Sequence, residues 1–451
     1  MFVACDFSVF SSLASLKMTT TDDDLHEDVA AARQLSFIFG ALGLMVPGIL
    51  AKLEILHSSS HALSALFFGM AIVGSAFLLS WAAEVAQLDI SAGLAIAILA
   101  LIAVLPEYAV DLVFARKGGH AYSQFGRVCK AAVDSGESNC SLALANMTGA
   151  NRLLIGVGWA LVVFLAFYAS RRKRLPYSGV QLERSHSVEI AFLTLACAYS
   201  LTLPLKTSLT LFDALILVSI FIVYTVRISK APAEEPHLVG PARLIGNART
   251  GPRRTLVISM FVVAAGVIGL CAGNFADSLK ASGAQLGISE FFLVQWLAPL
   301  ASEAPELLVA GLYAWRLNTN AGLGTLVSSK VNQWTLLVGT LPIAFAVTSG
   351  GLHGLPLDGK QREELFLTAA QSVFAVAVLA NLSLSAKEAA MLFVLFCSQF
   401  AAGALLPGPL ERTGVGAVYL LLGVIMLLRN RKAFSALMRD GLFAPFSKLA
   451  E

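Results

Sequence analysis

A Pro-Glu pair inside an apolar segment of membrane length occurs twice in this chain, as Leu105-Pro106-Glu107 and as Ser302-Glu303-Ala304-Pro305-Glu306. A carboxylate at the middle of a bilayer costs about 2.5–3.5 kcal/mol on insertion scales, and such groups are retained for tasks like holding an ion. Proline has no N–H to donate and displaces the carbonyl four residues earlier, here Ile102 and Ala301. Each segment therefore offers a freed backbone oxygen beside a glutamate. Oxygen-lined pockets suit hard cations, which take about six to eight ligands for calcium and fewer for smaller ions. A kinked helix with a hydrogen-bonded glutamate would account for either copy alone, but not for the duplication.

Helical spacing widens both sets. Glu303 and Glu306 lie three residues apart and Glu107 and Asp111 four apart, so each pair shares a helix face. Two carboxylates that close share a proton when no cation is present, which lets protons compete with metal. Asp111 lies nearer the helix end and suits a water-exposed role as well as a site role. Downstream of each Pro-Glu helix, Asn146, Thr148 and Asn151, and then Ser328, Ser329, Asn332, Gln333 and Thr335, supply neutral oxygens. Small residues in the same stretches also serve close helix packing.

The elements that position these residues follow from composition. With 57% hydrophobic and 14% charged residues and a mean hydropathy of +0.75, 451 residues cannot form a soluble globule, and a polytopic membrane protein is the reading left. Apolar runs of about 20 residues give about twelve spans. They fall at 36–53, 62–86, 91–115, 142–169, 188–204 and 209–228, and then at 255–279, 290–315, 321–347, 365–384, 388–405 and 414–428. Residues 1–35 read as a tail with Met18 a possible true start, Thr19–Asp28 being polar and acidic; Met1–Lys17 lacks the charged leader and cleavage site of a secretory signal.

Basic clusters at Arg171–Arg174, from Arg227 to Arg254, and at Arg429–Lys432 share one side under this count, which places both termini in the cytoplasm. A bacterial-type cytoplasmic (inner) membrane is the expected location. Cys129 and Cys140 share one polar loop and can form a disulfide if that loop faces an oxidising compartment.

The duplication extends beyond the carboxylates. Ala86-Gln87-Leu88-Asp89-Ile90-Ser91 returns as Ala284-Gln285-Leu286-Gly287-Ile288-Ser289 ahead of the second Pro-Glu segment. Asn146–Gly158 and Thr325–Gly339 likewise correspond. An odd number of spans separates the copies, so they have opposite topology, the arrangement of inverted-repeat transporters whose sites lie near the midplane. The expected fold is an all-α membrane protein whose core is two inverted five-helix repeats, 62–228 and 255–405. These are joined by a cytoplasmic linker, 229–254, with an extra span and loop at 36–61 and an extra span and tail at 406–451.

With these residues in view the chain resembles the calcium/cation antiporter superfamily, the group containing the sodium/calcium exchangers, from about Ala62 to Leu405. Its repeats carry a Gly-Thr-Ser-x-Pro-Glu-like motif and then a Gly-Ser-Asn-like motif. The resemblance implies that Glu107 and Glu306 are the ion-coordinating glutamates and that Thr148-Gly149-Ala150-Asn151 is the first Gly-Ser-Asn motif, with Asn151 at its ligand position.

The departures bear on mechanism. Ala103 and Val104 replace hydroxyl residues before Pro106, Glu303 stands where the family has a hydroxyl, and Ser302 retains one. Aligned back from Gly339, Ser329 matches the family's Ser, and Lys330 stands in place of Asn or Asp. An unpaired ammonium at such depth is too costly, so Lys330 is expected to pair with Glu303 and to fill, as a tethered cation, a place otherwise open to sodium.

The implied function is secondary active exchange of Ca2+, or a related cation, against Na+ or H+ by alternating access. Glu107, Glu306 and Glu303 are then the ligands of the transported ion, with Asn151, Ser329, Ser302 and Thr148 contributing oxygens and Lys330 and Asp111 modulating the site. A sodium/proton exchanger without calcium transport is the alternative, and a receptor or structural protein a lesser one. No phosphate-cradling loop, His-Glu-x-x-His motif or Cys-x-x-Cys zinc spacing is present, and no hydrolase nucleophile set is evident. Expected partners are inorganic cations and the lipid bilayer, with no nucleic acid and no cofactor beyond the transported Ca2+, Na+ or H+.

Overall fold

The computed structural model describes residues 22–89, 105–131, 136–231, 238–405 and 408–449. Nine of the described helical segments are long and apolar enough to cross a bilayer. The span expected at 91–115 is described only from Leu105, so Ile102, Ala103 and Val104 lie outside the described residues. Helix α1, Asp22–Lys52, starts inside the stretch read as tail, and packs on α2, His61–Ala86. Acidic residues suit a helix start, because the exposed N–H groups there carry partial positive charge.

The first repeat continues with α3 (Leu105–Phe125), α4 (Asn139–Leu153), α5 (Ala160–Arg172), α6 (Ser187–Ser200) and α7 (Leu211–Ile228). A short helix α8, Pro241–Gly246, lies in the linker. The second repeat comprises α9 (Thr250–Leu286), α10 (Glu290–Trp315), α11 (Thr319–Asn332), α12 (Val338–Thr348), α13 (Gly359–Val378) and α14 (Ala386–Leu405). Helices α15, Pro409–Arg429, and α16, Arg431–Phe443, follow.

The repeats are interleaved. α2 packs along its counterpart α9, α10 crosses α4, and α3 lies against both α4 and α12. Two ribbons tie loops of one repeat to loops of the other: β1 (Val180–Gln181) pairs with β4 (Ser383–Leu384), and β2 (Ser208–Leu209) with β3 (Leu355–Pro356). The repeat relation exchanges β1 with β3 and β2 with β4, so it maps one ribbon onto the other at the opposite end of the bundle.

Each end has an identifying feature. Cys129 and Cys140 are disulfide-linked in the α3–α4 loop, and the Glu137 N–H of that loop donates to Glu290 Oε2 at the start of α10 (3.1 Å). At the other end, Asp89 accepts from Arg253 (2.8 and 2.9 Å) and Arg254 (3.0 Å), joining α2 to the base of α9. α3 therefore runs toward the disulfide face and α10 away from it, as inverted repeats require. The repeated turn is resolved in its second copy, where Gly287 ends α9 at φ +67° and the Ser289 hydroxyl caps α10.

Candidate ion site

The prolines do not break α10, which is helical over all 26 residues through Pro299 and Pro305. The backbone irregularity lies in the partner helices instead. α4 passes into α5 through a π-helical stretch, Leu154–Trp159, and α11 passes into α12 through Gln333–Leu337. π-turns leave carbonyls off the regular ladder and rotate side chains out of register. The first begins just after Asn146, Thr148 and Asn151, and the second begins at Gln333 and includes Thr335.

α3 brings Glu107 to the interface and α10 brings Glu303 and Glu306. Glu107 and Glu303 are buried, while Glu306 is half-buried. Gln333, the first residue of the second π-turn, connects them: its Nε2 donates to Glu107 Oε1 (3.0 Å) and also to Glu303 Oε1. Ser329, one turn earlier, donates through Oγ to Glu306 Oε2 (2.8 Å). Carboxylates from two oppositely directed helices thus meet on one face of α11.

The remaining acceptors are open. Glu107 Oε2, Glu303 Oε2, Gln333 Oε1 and Asn332 Oδ1 are buried with no hydrogen-bond partner among the described residues. Unsatisfied buried oxygens are costly, and several on adjoining side chains mark a place where a cation or protons complete the set. Among the described residues no three Asp, Glu, His or Cys groups converge closely enough to hold a metal by themselves. Neutral oxygens must share the coordination, as calcium sites commonly allow.

Other expected residues are arranged differently. Ser302 Oγ donates back to Ala298 O and Pro299 O (both 3.3 Å), and Thr148 Oγ1 to Leu144 O (2.9 Å) and Ala145 O (3.0 Å). Both hydroxyl protons are committed to their own helix, leaving lone pairs only. Asp111 is not at a wet helix end: it is 0% exposed. The Asn146 side-chain amide lies beside it.

Lys330 is the main correction. It is 0% exposed, so it does not reach water, and its side-chain nitrogen is held by Asn151 rather than Glu303. Nζ donates to Asn151 Oδ1 (2.6 Å) and to the Asn151 carbonyl, and lies 5.7 Å from the Trp334 ring centroid. Glu303 Oε1 accepts instead from Gln333. Lys330 and Asn151 occupy the same place in the two repeats, three residues before each π-turn, so the contact joins the repeats directly.

A second buried cluster adjoins the first and was not anticipated from sequence. Arg152, next to Asn151, pairs with Glu364 of α13 (2.7 Å) and stacks over Trp296 at 5.1 Å. Gln295 donates to Glu364 Oε2 (2.9 Å) and to Thr148 Oγ1 (3.2 Å). Arg152 had the signal of a charged residue inside an apolar span, but its partner is over 200 residues away. This pair lines a cavity of about 450 Å³ together with Lys360, Gln399, Glu411 and Arg412. α4 and α10 approach closely here, since a Cβ on Gly149 would stand 1.6 Å from Gln295 O.

Known proteins of this architecture can now be compared. The profile of the sodium/calcium exchanger protein family matches residues 59–230 and 256–402. The chain resembles the crystal structure of the H+/Ca2+ exchanger CAX with a TM-score of 0.82 and 39% identity, over 93% of this chain and 99% of that one. It resembles the structure of native YfkE with a TM-score of 0.56 and 15% identity, over 81% of this chain and 99% of that one, a likeness of fold alone. No curated protein matches the chain.

Proposed function

The chain belongs to the sodium/calcium exchanger protein family, secondary transporters and not enzymes, and from that premise we propose that it exchanges Ca2+ for protons across a membrane by alternating access. The observation that carries this reading is the gathering of Glu107 and Glu303, from oppositely directed helices, on the single amide of Gln333, with buried oxygens left over. Glu107, Glu303 and Glu306 are the primary ligands, and Gln333 and Ser329 hold them in place. Asn151 is committed to Lys330, and Thr148 and Ser302 serve as lone-pair donors at the margin of the site.

Protons are favoured over sodium as the counter-ion on two grounds. The 39% identical relative is an H+/Ca2+ exchanger, and a third carboxylate stands here where the sodium-linked pattern has a hydroxyl. Access alternates as the peripheral pair α2 and α9 moves against the helices of the site.

The basic clusters at Arg171–Arg174, in the linker and at Arg429–Lys432 support a cytoplasmic linker face, and the disulfide supports an oxidising compartment at the other. Both termini are then cytoplasmic, in a bacterial-type inner membrane, and the repeats occupy 62–228 and 255–405. The test is Ca2+ flux in everted vesicles under an imposed pH or sodium gradient, for wild type and Glu306→Gln. Flux driven by the pH gradient and lost in the variant is the expected result. Sodium/proton exchange with no Ca2+ movement under either gradient would refute the calcium reading.

A further inference from the structure

The cavity that Arg152 and Glu364 help to line sits where helices end. Gly287 ends α9 and Ser289 caps α10, while Lys360, Gly403 and Glu411 stand in the first or last turns of α13, α14 and α15. Ends of membrane-spanning helices lie at the level of the lipid headgroups. A volume of about 450 Å³ falls within the roughly 300–1,000 Å³ of small-molecule pockets.

Three features describe what would fill it. Gln399 is 2% exposed and lines the cavity, yet neither its Oε1 nor its Nε2 has a hydrogen-bond partner among the described residues. A buried amide is costly to leave unpaired, so the occupant must both donate and accept hydrogen bonds. The charged lining has both signs as well, with Arg152, Lys360 and Arg412 set among Glu364 and Glu411. The three cations pair with Glu364, Glu137 and Glu363 respectively, and Glu411 stands outside those pairs. A ligand of one charge would be repelled by part of this lining, whereas a zwitterion matches it.

The third feature is an aromatic wall. The Phe400 ring of α14 lies 5.5 Å from Phe292 and 5.1 Å from Trp296 of α10, centroid to centroid. Leu300, four residues after Trp296 on the same face of α10, is 51% exposed, and Phe400 is 38% exposed. The wall therefore continues onto surface that meets acyl chains.

We propose that this cavity binds the headgroup of one phospholipid bearing a primary ammonium, of the phosphatidylethanolamine type. Glu411 and Gln399 Oε1 accept from the ammonium, while Gln399 Nε2 and the N–H groups of Arg412 and Lys360 meet the phosphate. The first carbons of the chains lie along Phe292, Trp296 and Phe400. The lipid thereby bridges α10, which carries Glu303 and Glu306, to α13, α14 and α15. Nothing in this assignment depends on which ion is carried.

The test is native mass spectrometry of the full-length protein, delipidated in detergent and titrated with phosphatidylethanolamine, phosphatidylcholine or phosphatidylglycerol of identical chains. One phosphatidylethanolamine per chain should bind about tenfold more tightly than either of the others, since trimethylation removes the ammonium's N–H groups and glycerol removes its charge. Gln399→Leu, close in volume, and Glu411→Gln, at the rim, should each weaken that binding about tenfold without lowering the unfolding temperature of the lipid-free protein. Soluble phosphoethanolamine, which lacks the chains, should bind at least about a hundredfold more weakly than the lipid.

Equal binding of the three lipids, or binding that neither variant weakens, overturns the proposal. Soluble phosphoethanolamine binding as tightly as the lipid overturns it too, by leaving the aromatic wall no part. So does Ca2+ that displaces the lipid from wild type but not from Glu411→Gln, which would make the cavity an entry for the transported ion. Should Gln399→Leu fail to fold, Glu411→Gln and the lipid series still decide.

Discussion

Replacing Gln333 by leucine isolates the contact on which the site is built. The two side chains are similar in volume and position 333 is fully buried, so packing is largely kept while one amide is lost. That amide donates to two carboxylates, Glu107 and Glu303. A hydrogen bond to a charged group contributes about 1.5–3 kcal/mol and one to a neutral group about 0.5–1.5, so with one proton shared between the carboxylates the pair stabilises the cation-free site by about 2–4.5 kcal/mol. A bound cation neutralises the same oxygens directly, and the loss therefore falls mainly on the empty transporter. Retention of Ca2+ should tighten: if only about 1.4 kcal/mol of the difference is expressed, the dissociation constant drops about tenfold. Release slows with it, so maximal flux and the half-saturating Ca2+ concentration should fall together. Equilibrium Ca2+ binding to the purified protein and initial flux rates in proteoliposomes measure the two quantities. A higher half-saturating concentration with unchanged maximal flux would refute the reasoning, since it would mean that Gln333 Oε1 acts chiefly as a ligand.

Two further outcomes are expected. Arg152→Met leaves Glu364 as an unpaired buried charge and should destabilise the protein by about 3–5 kcal/mol, whereas Arg152→Met with Glu364→Leu should regain most of that, as read by thermal unfolding in detergent. At the linker face, the Arg253 guanidinium hydrogen-bonded to Asp89, with Arg254 beside it, holds the Asp89 carboxyl below the ordinary aspartate range. A depressed folded-state value stabilises above the unfolded one, near 3.9, and that contribution disappears as pH falls through the folded value. Asp89→Asn should therefore speed hydrogen exchange in residues 238–254 at pH 7, with the gap from wild type closing only below about pH 4. A gap unchanged at lower pH would mean that the linker is held by other contacts.

The helix carrying Glu303 and Glu306 was legible to the residue, because an apolar run bounded by Ser289 and Trp315 has one plausible length. The direction of each repeat followed from counting spans. Expectation and structure parted wherever a contact joined distant segments. Proline marks α3 and α10, the helices that carry the glutamates, but α10 stays helical through Pro299 and Pro305, and the π-turns lie in α4–α5 and α11–α12 instead. Lys330 was identifiable as anomalous, yet its expected partner was Glu303 and its actual one is Asn151. Helical periodicity says which face a residue shares and nothing about which helix lies opposite.

Sequence by itself determined that the chain lives in a bilayer, that it is duplicated with inversion, and that Glu107 and Glu306 occupy equivalent places, because hydropathy, span parity and motif spacing are local properties. Only the tertiary structure decided that Gln333 gathers Glu107 and Glu303, that Lys330 bonds Asn151 across the repeat interface, and that Arg152 is neutralised by Glu364. Those choices depend on which helix faces cross at what depth. Burial then leaves each polar group only the partners within about 3 Å of it.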